Sequence, residues 1–192
     1  MDVDPYDIEL LPPRVQGWFK QESQRNLRAF INQNHPEFFV ELGSWLGESS
    51  ILIAQWLPPH GILYCIDTWE GSVEHKTDPQ WSGYLPTLYR QFISNVIHAG
   101  QQNKIKPIRS MTTSAVKTFL PETVGVVFID ASHEYQDVLK DCKDWWPILK
   151  PDGIMCGDDY DWPNVKKAVD EFASIYALKP RIDIGYWEIV KL

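Results

Sequence analysis

The chain has 192 residues, of which 44% are hydrophobic and 23% charged, and its 18 Lys+Arg against 26 Asp+Glu give a formal net charge of −8. This length and composition predict one folded domain over residues 1–192, and they exclude wholesale disorder. The acidic balance argues against a nucleic-acid partner. No apolar run approaches the ~18 residues that a membrane span needs, so no membrane association is expected.

The N-terminus and the cysteines bear on the compartment. The opening residues Met1–Pro5 are acidic and have neither the basic nor the apolar region of a secretory leader. Cys65, Cys142 and Cys156 are widely spaced and form no CxxC pair, so neither disulfides nor a structural zinc site is expected. Both observations predict a cytoplasmic protein.

Short apolar runs alternate along the chain with longer amphipathic segments. A helix predicted at Gln21–Asn34 precedes the first run, so residues 1–36 are interpreted as a helical cover segment and residues 37–192 as the core. The runs that predict buried strands are Phe38–Leu42, Ile62–Ile66, Ile105–Ile108, Val124–Ile129 and Gly153–Cys156. The segments between them that predict helices are Ser49–Trp56, Thr87–His98, Thr113–Leu120, His133–Leu149 and Pro163–Tyr176.

This alternation predicts an α/β fold: a Rossmann-like, doubly wound sheet of mostly parallel strands with helices on both faces. The tail differs, because Leu178–Ile182 and Gly185–Val190 are strand-like runs joined by a short turn. They predict a C-terminal antiparallel hairpin at the sheet edge. Ligands of open α/β sheets bind beyond the carboxyl ends of the strands, so the residues that follow each strand are the candidates for function.

The first two strands end in features typical of a nucleoside-binding site. Glu41 closes the first strand, and Gly43 and Gly47 flank a turn into the next helix, where backbone amides can approach a ligand closely. Asp67 ends the second strand, which is expected to lie beside the first, and its carboxylate can accept hydrogen bonds from ribose hydroxyls. The alternative is that the glycines only permit the turn and Asp67 only caps one.

The fourth and fifth strands are followed by carboxylates. Asp130 ends the fourth strand, with His133 three residues later, and Asp158 and Asp159 follow the fifth. Carboxylates held this close are costly unless some of them are protonated or a cation neutralises them, and their oxygens suit Mg²⁺ or Mn²⁺. The alternative roles are turn and cap residues, although Asp161 is expected to be the N-cap of the following helix. His133 could take a proton from a substrate hydroxyl or serve only in packing.

Two further segments could border this site. Thr68–Pro86 is a long connection rich in aromatic residues, which predicts either a lid that stacks on a substrate or a partly helical segment with Trp69 and Trp81 packed beneath it. The stretch Pro5–Trp18 could cover the site or a partner subunit, so a homo-oligomer is one expectation.

Together these residues resemble the class I S-adenosylmethionine-dependent methyltransferases. The resemblance runs from Phe38 to the C-terminus, with Phe128–Tyr160 its most specific part. It is closest to the metal-dependent small-molecule O-methyltransferases (methyltransferase family 24) related to macrocin O-methyltransferase and to the cephalosporin hydroxylase and rhamnosyl methyltransferase group. The resemblance implies cofactor-binding residues for methionine at Glu41, Gly43 and Gly47, for ribose at Asp67, and for adenine at Ser110 and Met111.

The resemblance also implies a catalytic metal. Asp130, Asp158 and Asp159 would hold a divalent cation, Mg²⁺ or Mn²⁺. The layout looks like catechol O-methyltransferase, in which a lysine base follows the first metal aspartate by three residues; here that position is His133, so His133, Asp130 or the metal would activate the hydroxyl. Trp45 departs from the family, which usually has glycine there, and could narrow the methionine pocket or line the substrate site.

The expected function is therefore metal-assisted O-methylation of a small-molecule hydroxyl acceptor with S-adenosylmethionine as donor. A nicotinamide-dependent oxidoreductase on a similar sheet is the first alternative, although G-x-G-x-x-G is absent from the sequence. A non-catalytic module that binds the cofactor or metal is the second.

Overall fold

The computed structural model describes residues 4–192, except for the side chains of residues 73 and 74. Residues 1–3, on which part of the expectation about a leader rests, lie outside this range. Seven strands form one sheet: β1 Phe38–Leu42, β2 Ile62–Asp67, β3 Ile105–Arg109, β4 Val124–Ile129, β5 Leu149–Gly157, β6 Arg181–Asp183 and β7 Tyr186–Val190. The α-helices are α1 Gln21–Asn34, α2 Glu48–Trp56, α3 Val73–Thr77, α4 Pro79–Ser82, α5 Leu88–His98, α6 Thr112–Ala115, α7 Tyr135–Trp145 and α8 Pro163–Ile175.

The strand order is β3-β2-β1-β4-β5-β7-β6, with β1 to β5 parallel and the last two strands antiparallel. This confirms the predicted Rossmann-like sheet and its C-terminal hairpin. Because β1 is flanked by β2 and β4, the carboxyl ends of these strands lie side by side, and the strand order reverses at β1, with β2 and β3 on one side and β4 and β5 on the other.

Each face of the sheet has its own hydrophobic core, because neighbouring side chains of a strand point to opposite faces. Phe39 and Phe128 pack with α1, α2 and α5 on one face, whereas Val40 and Val127 pack with α7 and α8 on the other. All four side chains are fully buried, which explains why these strands are apolar almost throughout.

Several predicted boundaries are wrong at their ends. The helix predicted from His133 begins at Tyr135 and ends at Trp145, followed by a 3₁₀ turn at Trp146–Ile148, because Pro147 has no N–H for a helical hydrogen bond. The helix predicted at Thr113–Leu120 is α6 plus a 3₁₀ turn at Val116–Thr118. The first strand of the hairpin is only β6, three residues long.

The connection after β2 matches in part the alternative of a partly helical segment, and the lid stays a prediction. It is partly helical, with α3, α4 and a 3₁₀ turn at Leu85–Thr87, and Trp69 is buried at 1% exposure. Trp81 remains partly exposed. None of the helices found in residues 4–192 is both long and apolar enough to cross a membrane.

Asp141 introduces a pH dependence into the packing of α7. Its side chain is buried and accepts a hydrogen bond of 2.6 Å from Thr112 Oγ1. Burial raises the pKa of Asp141, the charges of Asp137 and Asp144 act in the same direction and the hydrogen bond from Thr112 opposes them, with the net result that the pKa is about 7. In an unfolded chain the pKa of aspartate is about 3.9. A raised native pKa means that the contribution to stability is present below pH ~4 and lost as the pH rises through 7.

We therefore expect Asp141→Asn to raise the free energy of unfolding at pH 8 by about 2 kcal/mol and to change it little at pH 4. Urea unfolding at the two pH values measures the difference. Asp152→Asn, at an exposed position on β5, is the control, and its effect on the free energy of unfolding should be small at both pH values. An equal effect of Asp141→Asn at both pH values would contradict the assignment.

Candidate functional site

The turn between β1 and α2 requires glycine. Gly43 has φ +86° and Gly47 φ +90°, a left-handed conformation in which side chains are strained. A Cβ on Gly43 would lie 2.2 Å from the backbone oxygen of Asp130. The amide of Gly43 donates to Ile66 O and that of Asp130 to Leu42 O, both at 2.9 Å. The turn predicted to bind the cofactor therefore lies directly against the end of β4, where Asp130 is predicted to bind the metal.

Asp67 fastens this turn to the end of β2. Its Oδ2 accepts hydrogen bonds from the amides of Ser44 (2.9 Å) and Trp45 (3.0 Å), and its Oδ1 accepts one from Trp69 N (2.7 Å). The structure thus brings Asp67 beside the Gly43–Gly47 turn, as its position in the sequence predicted. Each carboxylate oxygen can accept two hydrogen bonds, so Oδ1 retains capacity for a hydroxyl donor.

Glu41 is fully buried beneath the same turn. Its carboxylate accepts hydrogen bonds from Ser44 Oγ and Ser49 Oγ, each at 2.6 Å, and from Ser50 Oγ. Burial raises the pKa of Glu41, while these hydroxyls act in the opposite direction. The sequence analysis did not predict the role of the three serines. The pattern that could have indicated it is a set of three hydroxyl residues after a buried glutamate at the end of a strand. Direct contact of Glu41 with a cofactor stays a prediction.

Ser110 and Met111 lie at the end of β3, next to Asp67. The amide of Ser110 donates to Asp67 O at 3.0 Å, and Ser110 Oγ donates to Met111 O at 3.1 Å. Met111 is 63% exposed and begins α6 as its N-cap residue. Both residues thus lie on the same sheet edge as the cofactor turn, where an exposed apolar side chain could contact a planar ring.

The acidic residues converge beyond β4 and β5. Asp130, His133 and Asp159 each offer one ligand atom, and these atoms lie within 4.8 Å of one another. His133 Nε2 is 2.9 Å from Asp159 Oδ2. Asp158 is not in this group, because its Oδ2 accepts a hydrogen bond of 2.9 Å from Ser23 Oγ. The expectation that Asp161 is the N-cap residue of α8 is wrong. The N-cap residue of α8 is Trp162, whose amide donates to Asp159 O.

Lys20, which sequence reasoning missed, lies among these carboxylates. Its Nζ is 2.6 Å from Asp159 Oδ1, 3.5 Å from Asp158 Oδ1 and 3.6 Å from Asp161 Oδ1. No local pattern could have revealed it, because Lys20 and Asp159 are 139 positions apart.

The electrostatics of the cluster follow from burial and from these pairs. Burial raises the pKa of Asp130 well above its usual range, and the charges of Asp158, Asp159 and Glu41 raise it further. Burial alone would also raise the pKa of Asp159, but hydrogen bonds from His133 and Lys20 bring it below the usual value. Burial raises the pKa of Asp158 against the opposing effects of Lys20 and Ser23. An additional positive charge nearby would therefore favour the ionised form of the Asp130 carboxyl group.

The comparisons with known proteins agree with this geometry. A family model described as a methyltransferase domain, Methyltransf_24, matches residues 40–160, more than half of the chain. The chain belongs to this methyltransferase family. The match includes the Gly43–Gly47 turn, Asp67, Asp130, His133 and Asp159, whereas Lys20, Ser23 and Asp161 lie outside it.

Solved methyltransferases share the fold. The O-methyltransferase TomG from Streptomyces achromogenes, involved in tomaymycin synthesis and solved with S-adenosylmethionine, is 18% identical, with a TM-score of 0.62 over 88% of this chain and 79% of that one. An O-methyltransferase from Bacillus cereus in complex with S-adenosylhomocysteine is 16% identical, with a TM-score of 0.63 over 90% and 82%.

A sequence relative has a different length. An uncharacterized protein of Sinorhizobium fredii, y4gI, is 25% identical in an alignment of 163 residues that covers 81% of this chain. The methyltransferase chain spans only 17% of the length of that relative.

An aromatic wall borders the cofactor turn of the methyltransferase. It consists of Trp18, Trp45, His75, Trp81 and Tyr84, which come from the N-terminal stretch, the β1–α2 turn and the connection after β2. Trp45 stacks on His75 with ring centroids 4.2 Å apart, and its Nε1 donates to Gln16 Oε1 at 2.8 Å. Trp18 contacts the rings of Trp45, His75 and Trp81 and is 51% exposed.

The stretch before α1 is held by α5. The amide of Leu11 donates to Ser94 Oγ at 3.0 Å and that of Arg14 to Asn95 Oδ1 at 2.9 Å. Asn95 Nδ2 donates in return to Arg14 O. The predicted cover segment is thus fixed to its own chain, and its end carries Trp18 and Lys20 to the two parts of the site.

A small cavity lies behind the acidic cluster. Its volume is about 10 Å³, and it is lined by Asp130, His133, Asp158 and Trp187, among others. Trp187 is fully buried, and its Nε1 finds no hydrogen-bond acceptor among the described residues. A buried indole N–H without an acceptor is costly, so an oxygen atom in this cavity, of a water molecule or a ligand, would satisfy it.

Proposed function

We propose that this chain transfers a methyl group from S-adenosylmethionine to a hydroxyl of a small molecule, with the help of a divalent cation. The observation that carries the proposal is the adjacency of two sites on one sheet edge. The Gly43–Gly47 turn contacts the backbone of Asp130, whose side chain belongs to the Asp130–His133–Asp159 cluster. A methyl donor bound at the turn would therefore lie beside an acceptor bound at the cluster.

The residues at the turn suit a cationic nucleoside. Asp67 Oδ1 can accept from a ribose hydroxyl while Oδ2 holds the turn. Glu41 stabilises the turn by accepting hydrogen bonds from Ser44, Ser49 and Ser50, and its carboxylate is buried beneath the turn. Ser110 and Met111 border the adenine end. The solved neighbours were obtained with S-adenosylmethionine or S-adenosylhomocysteine, which supports the same cofactor here.

The donor set at the cluster fits Mg²⁺ or Mn²⁺. Two carboxylates and one imidazole lie within 4.8 Å of one another, and such oxygen and nitrogen ligands suit these ions. Asp130 and Asp159 would hold the ion, with His133 beside them and Asp158 behind. When bound, a divalent ion favours the ionised form of an acceptor hydroxyl and orients it.

The chain's own side chains then have defined tasks. His133 or Asp130 takes the proton of the acceptor hydroxyl, because both lie at the cluster. Asp159 orients the imidazole through its 2.9 Å contact with His133 Nε2. The aromatic wall excludes water from the turn, and the exposed face of Trp18 offers a surface for a planar or sugar-like acceptor. Placing the oxygen in line with the methyl group supplies much of the catalysis.

Ligand-dependent melting tests the proposal. S-adenosylhomocysteine at 100 times its Kd is expected to stabilise the protein by about 2.7 kcal/mol, and NAD is expected to have no effect. Methyl transfer is then measured across a panel of catechols, sugars and phenols with and without EDTA. Stabilisation by NAD and not by S-adenosylhomocysteine would contradict the proposal. Tight binding of S-adenosylhomocysteine without transfer to any acceptor would instead favour a non-catalytic module.

A further inference from the structure

Lys20 places an ammonium group where the carboxylates of the proposed metal site meet. Its Nζ lies 2.6 Å from Asp159 Oδ1 and 3.5 Å from Asp158 Oδ1. We propose that Lys20 is a tethered cation that competes with the divalent ion for Asp159, so that the segment before α1 controls metal loading. The inference rests on the metal site of the proposed function and concerns its regulation.

Competition follows from the occupancy of Asp159. Its Oδ1 pairs with Lys20 and its Oδ2 with His133, so both oxygens already have positive or hydrogen-bonding partners. An ion such as Mg²⁺ binds carboxylate oxygen at about 2.1 Å. At that distance from Asp159, the ion would lie within a few ångströms of the ammonium, and the two cations would repel each other strongly in a partly buried site. The Lys20–Asp159 pair is therefore expected to weaken metal binding, and a bound ion to weaken the pair.

Lys20 is held in a way that permits withdrawal. The backbone around it is fixed, because Phe19 N donates to Glu48 Oε2 at 3.1 Å and Ser23 Oγ donates to Asp158. The side chain itself is 33% exposed and passes over Gly185, where a Cβ would lie 2.9 Å from Nζ. The ammonium can leave by rotation of a flexible stem without unfolding α1.

A separate observation indicates that the cluster takes a ligand besides Lys20. Trp187 Nε1 is fully buried, lines the cavity with Asp130 and Asp158, and has no acceptor among the described residues. Lys20 is a donor and cannot satisfy an indole N–H. An oxygen atom brought in by a hydrated ion can satisfy it, which is consistent with a second, metal-loaded state.

The affinity for Mn²⁺, measured by electron paramagnetic resonance on the full chain without cofactor, tests the inference. Lys20→Met removes the charge and nearly keeps the length, and we expect it to bind Mn²⁺ about tenfold more tightly than wild type. Lys20→Arg should stay close to wild type. Arg25→Met is the matched control, because Arg25 is a cation of α1 that pairs with Asp183 and not with the cluster. The affinity of this variant for Mn²⁺ should be unchanged.

The outcomes separate this inference from the proposed function. If Lys20→Met and wild type bind Mn²⁺ equally, and Asp130→Asn abolishes binding in both, the metal site stands and the competition is wrong. If neither protein binds Mn²⁺, the competition and the metal part of the proposed function both fail, whereas S-adenosylhomocysteine binding still tests the remainder.

A second measurement serves if Lys20→Met does not fold. In wild type, Mn²⁺ is expected to increase the rate at which acetic anhydride modifies the Lys20 amine, followed by peptide mass spectrometry, because the ammonium leaves its 2.6 Å pair with Asp159. Unchanged or slower modification of Lys20 on Mn²⁺ binding would overturn the proposal.

Discussion

Replacing Asp130 with asparagine is expected to lower the rate of methyl transfer by at least about 100-fold and to leave the affinity for S-adenosylhomocysteine within about threefold of wild type. The carboxylate belongs to the proposed metal and acceptor cluster, whereas the cofactor turn contacts only the backbone oxygen of this residue. Transfer assays and calorimetric titration measure the two effects.

The loss of activity should not come from loss of stability. Burial and the charges of Asp158 and Asp159 raise the pKa of Asp130, so the ionised form is disfavoured in the folded protein. Removing that charge should leave the melting temperature at pH 8 equal to wild type or higher. Asp152→Asn, at an exposed position near the opposite end of β5 from the cluster, controls for loss of an aspartate. Full transfer by Asp130→Asn in the presence of EDTA would contradict the metal assignment.

Replacing Gly43 with alanine is expected to destabilise the protein by about 3 kcal/mol or more and to abolish cofactor binding. The new Cβ would lie 2.2 Å from Asp130 O and 2.7 Å from Ala131 Cα, and both contacts are with backbone that cannot move without separating β1 from β4. Urea unfolding measures the loss of stability, and titration with S-adenosylhomocysteine measures the loss of binding.

Gly100→Ala is the matched control for this substitution. Gly100 also has a positive φ, +68°, but nothing lies within 4 Å of its Cβ position. It should therefore show only the cost of the left-handed backbone, about 1 kcal/mol. Similar losses for the two variants would mean that the close approach of the turn to Asp130 is not what constrains Gly43.

The sheet was predictable because its strands are buried on both faces. Phe38–Leu42 and Val124–Ile129 have the bounds that their apolar runs indicated, since all their residues except Glu41 and Gly125 belong to a hydrophobic core. Helix ends were less predictable. The segment from His133 to Glu134 has polar residues compatible with a helix, yet it stays in the loop, where His133 pairs with Asp159. A tertiary contact of this kind overrides local propensity.

The candidate site was predictable where it depends on strand ends and not where it depends on distant partners. Asp67 and Asp130 follow strands directly, and parallel packing brings them to one edge. Lys20 comes from the opposite end of the chain from Asp159, so no spacing rule could relate them. Asp159 itself adopts φ +59°, and this turn places Trp162 at the start of α8 where Asp161 was expected.

We propose that one sheet edge binds a nucleoside cofactor at the Gly43–Gly47 turn and a divalent ion at Asp130 and Asp159. Crystals grown with S-adenosylhomocysteine and Mn²⁺, with diffraction recorded at the manganese edge, test both parts of this proposal at once. We expect the ribose hydroxyls at Asp67 and an anomalous peak between the Asp130 and Asp159 carboxylates. S-adenosylhomocysteine bound away from the turn, or manganese bound away from these two aspartates, would contradict it.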